Sequence, residues 1–543
     1  MPRAASSVVA VLLSCCAARG QGPASQVAGA VLGAAGPLVG AVVRVQTSGR
    51  FALTDRDGSF VLEDEALLAG QVRITAWAPG HFIGWAQASP GDRDVVISLR
   101  PHYTTDNPDH AWFANEGIAG SQSCRICMPG PYAEWAADAH SQSAVNPRFL
   151  SMYAGTDLRG HRSPPRRYAT DRDYGQVPLP PRADEPYYGP GYKLDYPDTA
   201  GNCAACHAPA ATAYPGGAYA AEVTGLEGVP AEGVFCEFCH KIGDVILDPT
   251  SGLPRPNMPG PLSMRLHRPS EGEELFFGPF DDVTRRVTYL PLQQQSAFCA
   301  PCHFGVFWNT AIYNSYGEWL ASPYADPRTG QTCQDCHMPL TEATAFALPE
   351  VGGLHRSPGR IRSHRMPGAA DRELLQHAAR LDVDAKRAAD RIRVEARVTN
   401  EGAGHHLPTD HPARHIVLVL RASGPAGQEL PLLTGPLVPA WVGVGDAPQD
   451  YGQRPGRVYA KVLEELWTGV LPTAAYWNPT ILREDTRLPA KATEVSTYEF
   501  RGLEGPATVH AKLVFRRAFR ELAQQKGWND PDIVMQQREL MVP

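Results

Sequence analysis

Cys203-Ala-Ala-Cys206-His207, Cys236-Glu-Phe-Cys239-His240, Cys299-Ala-Pro-Cys302-His303 and Cys333-Gln-Asp-Cys336-His337 are four copies of one pattern, CxxCH, in the middle of the chain. Two residues between the cysteines bring both sulfurs to the vinyl groups on one edge of a porphyrin, and the histidine that follows lies under the ring and binds iron from the proximal side. The four motifs therefore predict covalently held haem c, with His207, His240, His303 and His337 as proximal ligands. Four disulfides, or two zinc sites built from CxxC pairs, would leave the histidine after every pair unexplained.

A fifth pair, Cys124-Arg-Ile-Cys127, is followed by Met128. Three readings stay open for it: haem with Met128 or a distant residue on the iron, haem with an open iron position, or a CxxC disulfide left where a haem has been lost. Four haems are expected, or five if Cys124 and Cys127 carry one. Each low-spin iron needs a second ligand. The chain has 18 histidines, and the candidates for that role are His140, His267, His364 and His405, although a single histidine is more often a loop residue that binds nothing.

Working outward, Gly 51 and Pro 50 in 543 residues break up long helices and regular sheets, so a loop-rich core with short helices is expected. The net charge of −7 excludes a nucleic-acid binder that works through bulk positive charge. No run of 18 apolar residues suggests a membrane-spanning helix. Residues 1–22 read as a secretory signal, and Leu12-Leu13-Ser14-Cys15 is a lipobox in which Cys15 would be acylated; ordinary cleavage a few residues later is the alternative. Membrane association is expected only through that lipid anchor, and the location is the periplasm, outer membrane or cell surface.

Residues 24–101 alternate strand-like runs with turns, including Asp57-Gly58 as a hairpin turn signal between two of them, and read as a small β-sandwich. Residues 102–380 hold the haem motifs, with a Pro/Tyr-rich stretch at 164–197 that either wraps haem edges or is plain surface. Residues 381–543 begin with Arg391-Ile-Arg-Val-Glu-Ala-Arg-Val-Thr, charged and apolar in strict alternation, and read as a second β-sandwich followed by a charged helix near 517–525. The fold class is thus mixed α+β: a loop-rich multihaem core flanked by two small sandwiches.

The middle of the chain resembles the multihaem c-type cytochromes of the cytochrome c554-like class. The resemblance runs from about Cys124 to the C-terminus and rests on CRICMPGPYAEWAADAHSQSAVNPRFLSMY (124–153), CAACHAP (203–209), GVFCEFCH (233–240), FCAPCH (298–303), YGEWLASPY (316–324) and CQDCHMP (333–339), with SHRMPG and GHHLPT further on. In that class the opening segment carries CxxCH and then a histidine after Tyr-x-x-Trp that serves as a distal ligand, which here would be His140; Met128 and Asp138 depart from the pattern. Residues 24–101 resemble the carboxypeptidase regulatory-like domain. The short tethers between successive haem motifs favour a chain of neighbouring haems, so an electron carrier between redox protein partners outside the cytoplasm is expected in preference to an enzyme. The alternative is a multihaem reductase of a small nitrogen or sulfur compound at an open haem position.

Overall fold

The computed structural model describes residues 25–115 and 117–543; the signal and the Cys15 anchor lie outside the described residues. Two compact units are present, one formed by residues up to 104 together with 280–289, the other by residues 105–279 and 290–543.

In the first unit, Gln26–Gly33 pairs antiparallel with Gly36–Pro37 and Ser59–Glu63 and parallel with Val95–Ser98. A second sheet runs in the order Ala52–Leu53, Val42–Val45, Val72–Trp77, Gly84–Ala88. Alternate side chains of the two sheets, among them Val31, Val43, Phe60, Ile74 and Ile97, share one core. The Asp57-Gly58 turn does not close a hairpin. It carries the chain from Ala52–Leu53 in one sheet to Ser59–Glu63 in the other, with the Asp55 carboxylate accepting from the N–H groups of Asp57 and Ser59. Gly58 has φ 71°, and a Cβ there would lie 2.8 Å from the Val31 carbonyl oxygen, so only glycine fits. The segment 280–289 belongs to this unit: Arg44 pairs with Asp281 at 2.6 Å, and the Trp77 indole N–H donates to Thr288 Oγ1 at 3.1 Å.

The second unit joins the short-helix region to the C-terminal sheets. All five CxxC pairs begin on short helices or turns: Ser121–Arg125, Cys203–His207, Cys236–Lys241 and Cys333–His337 are α-helical, and Ser296–Cys299 is a 3-10 turn leading into the fifth. Only Cys333–His337 has a capping box, Thr332 with Asp335. The other segments are fixed by tertiary bonds, as expected for helices too short to stand alone.

Beyond residue 378 a four-stranded antiparallel sheet (Ala379–Ala388, Arg391–Asn400, Thr493–Arg501, Leu432–Thr434) and a five-stranded one (Thr480–Asp485, Gly456–Glu465, His415–Ser423, Ala507–Arg516, Ile533–Val542) share a second core. The alternation in Arg391–Asn400 is realised as read: Ile392, Val394, Ala396 and Val398 are buried while Arg391 and Arg393 are exposed. Each buried aliphatic side chain of this kind contributes about 1.5–3 kcal/mol. The charged helix is Arg520–Lys526, and a further strand, Ile533–Val542, follows it on the sheet edge. Lys526 is buried and donates to the carbonyls of Ser151, Thr156 and Pro190, tying the terminal helix to the helical region. The Pro/Tyr-rich stretch docks on the same sheets: Arg166 bridges Asp195 at 2.8 Å and Glu465 at 2.5 Å, and Asp195 also accepts from Trp477 and Asn478. No helix among the described residues is long and apolar enough to cross a membrane.

Candidate functional site

The four motif histidines are each brought near a histidine from a remote part of the chain. The rings of His337 and His405 have centroids 6.4 Å apart and planes 12° from parallel. Those of His303 and His140 are 6.3 Å apart at 62°. His364 lies close enough to His240, and His411 to His207, to interact electrostatically, and His140 lies within such reach of His207 and His337 as well as of His303.

These spacings fit a metal between the rings. A metal–imidazole bond of about 2 Å, with the ring centre roughly 1 Å beyond the nitrogen, separates two rings on opposite faces of one ion by roughly 6 Å. In five of these eight rings Nδ1 is held by the chain itself, which fixes ring orientation and leaves Nε2 for a metal, whereas the buried Nδ1 of His364 has no hydrogen-bond partner among the described residues and that of His303 lies 4.0 Å from Asp410 Oδ2. Nδ1 of His207 bonds the Ser143 carbonyl at 3.1 Å, His240 that of Phe277 at 2.5 Å, His337 that of Pro367 at 2.7 Å and His405 that of His406 at 2.9 Å. Nδ1 of His140 bonds Asp138 Oδ1 at 2.6 Å. His411 differs, since its Nδ1 faces the Ala413 N–H at 3.2 Å, so binding through Nε2 requires that contact to turn.

Burial is the main cause that holds these rings neutral, the ligating form. It pushes His207, His303 and His364 down to about 4 and His411 to about 3, and lowers His240 and His337. The eight motif cysteines are all free thiols, and thiols of different motifs lie close enough to interact electrostatically, Cys299 with Cys333 and Cys302 with Cys206.

One carboxylate organises the loop that supplies two of the remote histidines. Glu318, buried on the helix Ser315–Leu320, accepts from the His406 N–H at 3.1 Å and the Thr409 hydroxyl at 2.6 Å and pairs with Arg487 at 2.6 Å. Asp410 accepts from the N–H groups of Asn314 and Ser315, both at 3.0 Å. Together they dock residues 405–411 against the motif region.

Of the sequence candidates, His140, His364 and His405 each stand beside a motif histidine. His267 lies on the strand-end backbone beside Lys241, with its ring 5.4 Å from Phe277 and against Gly243. His411 was not among the candidates, although it lies five residues after His406 in the same loop. Cys124 and Cys127 are free, and the Cys124 thiol lies close enough to Cys236 to interact with it electrostatically. Met128 is half-buried.

The fold is that of a known solved structure. The chain superposes on a penta-heme cytochrome c552 from Thermochromatium tepidum with a TM-score of 0.52 and 18% identity, over 78% of this chain and 98% of that one. The Fcho1 Mu homology domain of Danio rerio with bound Eps15 peptide is similar over 31% of this chain and 44% of that one, at 14% identity and a TM-score of 0.13, and carries no argument about the fold. No family model matches the chain. No curated protein matches it.

Proposed function

We propose that this chain is a multihaem c-type cytochrome that carries electrons between redox protein partners outside the cytoplasm. The observation that carries the reading is the His337/His405 pair, two nearly parallel imidazoles 6.4 Å apart beside a CxxC thiol pair. The proposed cofactors are haem c on Cys203/Cys206 with His207 and His411, on Cys236/Cys239 with His240 and His364, on Cys299/Cys302 with His303 and His140, and on Cys333/Cys336 with His337 and His405. His411 takes the place that His267 was expected to fill. Bound there, the haems supply one-electron Fe(III)/Fe(II) couples, at the low potentials that bis-histidine ligation gives relative to Met/His.

The chain's own part is to orient and shield. The carbonyls of Ser143, Phe277 and Pro367 fix proximal imidazoles, Asp138 fixes a distal one, and Glu318 and Asp410 hold the loop that brings His405 and His411 into place. The neighbour's five haems and the shared fold support the reading, as do the Cys299/Cys333 and Cys302/Cys206 contacts, which favour electron passage between neighbouring sites. The two flanking β-sandwiches, the first of carboxypeptidase regulatory-like type, and the Cys15 lipid anchor are proposed as the means of docking to a partner or surface. Low-temperature EPR with near-infrared magnetic circular dichroism on the oxidised holoprotein tests the reading. Four bis-histidine low-spin haems are expected; their absence would refute it.

A further inference from the structure

The residues around the irregular pair Cys124/Cys127 repeat, bond for bond, those around the regular pair Cys299/Cys302. Each pair is preceded by a serine three residues upstream, whose hydroxyl accepts the N–H of the first cysteine of another motif: Ser121 from Cys236 at 3.4 Å, Ser296 from Cys333 at 2.9 Å. In both, the first cysteine lies close enough to that same partner cysteine to interact with it electrostatically, Cys124 with Cys236 and Cys299 with Cys333.

The repeat continues beyond the cysteines. Tyr132-Ala-Glu134-Trp135 answers Tyr316-Gly-Glu318-Trp319. The Trp135 indole donates to the Val234 carbonyl at 2.9 Å and Trp319 to that of Gln331 at 2.8 Å, each two residues before the partner motif. The N–H of Val234 donates to the His140 carbonyl and that of Gln331 to the Tyr324 carbonyl, both at 3.0 Å. Glu134 accepts the N–H of His364 at 2.7 Å, and Glu318 that of His406 at 3.1 Å.

Inside the pair itself the backbone is the same. The N–H of Cys127 lies 3.2 Å from the Cys124 carbonyl and that of Cys302 3.3 Å from the Cys299 carbonyl, while Met128 N–H reaches Cys124 at 2.9 Å and His303 N–H reaches Cys299 at 3.1 Å. Met128 therefore occupies the backbone position of a proximal histidine.

We infer that Cys124 and Cys127 form a fifth haem attachment site, in which the thioether of Met128 takes the place of the proximal imidazole. This rests on the proposed function of the four regular motifs. Each thiol adds across one vinyl C=C: a C–S bond forms, the S–H hydrogen passes to the other vinyl carbon, and no oxidant or reductant is consumed.

The test is haem-peptide mapping and intact mass of the mature holoprotein, with pyridine haemochrome absorbance against protein. Five haems, one of them on the peptide containing residues 124–127, are expected, falling to four in the Cys124→Ala/Cys127→Ala variant. Four haems with Cys124 and Cys127 recovered as a disulfide or as free thiols in the unaltered protein would overturn this inference and leave the four-site reading standing. No covalent haem at all would overturn both. Because mapping of the unaltered chain reads attachment directly, a variant that fails to fold does not blunt the test.

Discussion

Replacing Glu318 with glutamine should loosen the loop at 405–411 and be felt at two haem sites at once. The carboxylate is buried, with 2% of its side chain exposed, and it balances Arg487, itself 6% exposed. Arg487 keeps Asp485 at 2.7 Å in the variant, so the guanidinium is not stranded. What is lost is a charge-assisted bond to Arg487, replaced by an amide N–H facing a guanidinium N–H, or else the acceptor for Thr409 or His406. Hydrogen bonds to charged groups contribute about 1.5–3 kcal/mol each, and removing one partner of a buried ion pair costs about 3–5 kcal/mol. With Asp485 still in place the lower end applies, so Glu318→Gln should destabilise the second unit by about 2–4 kcal/mol. The assay is guanidinium titration of the holoprotein followed by far-UV circular dichroism and by the Soret band. A lowered midpoint is expected, with heterogeneity in the low-spin EPR signals of the His405 and His411 sites. A midpoint shifted by less than the equivalent of about 0.5 kcal/mol, with unchanged spectra, would show that Glu318 does not hold this loop.

Other substitutions probe separate links. His411→Ala should convert one haem to high spin and leave the other bis-histidine signals intact, whereas His267→Ala should leave all of them low-spin; EPR reads both. Lys526→Met strands the carbonyls of Ser151, Thr156 and Pro190 and should lower stability by about 2–4 kcal/mol in denaturant titration. His415 is fully buried on its strand, and burial beside Arg516 drives it down to about 3. Its folded value lies below its unfolded value near 6.5, so the unfolded chain takes up the proton first as pH falls. Stability is therefore lost from pH 6.5 downward, at about 1.4 kcal/mol per unit. Between pH 6.5 and 5 the unaltered chain should lose about 2 kcal/mol more than His415→Asn, measured as the difference between paired unfolding curves.

Features fixed by neighbouring residues were legible in the sequence, and features fixed by long-range packing were not. CxxCH is a local constraint, since two thioether bonds and one iron ligand come from five consecutive residues. The alternation of Arg391–Asn400 is equally local, and it placed Ile392, Val394 and Val398 in the core. The proposed distal ligands are different, because His140 comes near His303 and His405 near His337 only through tertiary docking. His411 had no cue of its own; it is presented by Asp410 capping the N–H groups of Asn314 and Ser315, a bond with no sequence signature. The Asp57-Gly58 turn was read correctly as a turn and wrongly as a hairpin link, because a glycine at positive φ fixes the bend and not the sheet that receives the next strand. Residues 280–289 join the first unit through Asp281 and Thr288, side chains whose partners Arg44 and Trp77 lie far away in the chain. The strand Ile533–Val542 was missed because Gln536, Gln537, Arg538 and Glu539 interrupt its apolar pattern, as suits an edge strand.

The central claim is the pairing of four motif histidines with four remote ones. An anomalous difference map collected at the iron edge from crystals of the haem-loaded protein addresses it directly. The account predicts an iron between the imidazoles of His207 and His411, of His240 and His364, of His303 and His140, and of His337 and His405. Iron found beside any of these proximal histidines with a different residue, such as His267, on its far side would contradict it.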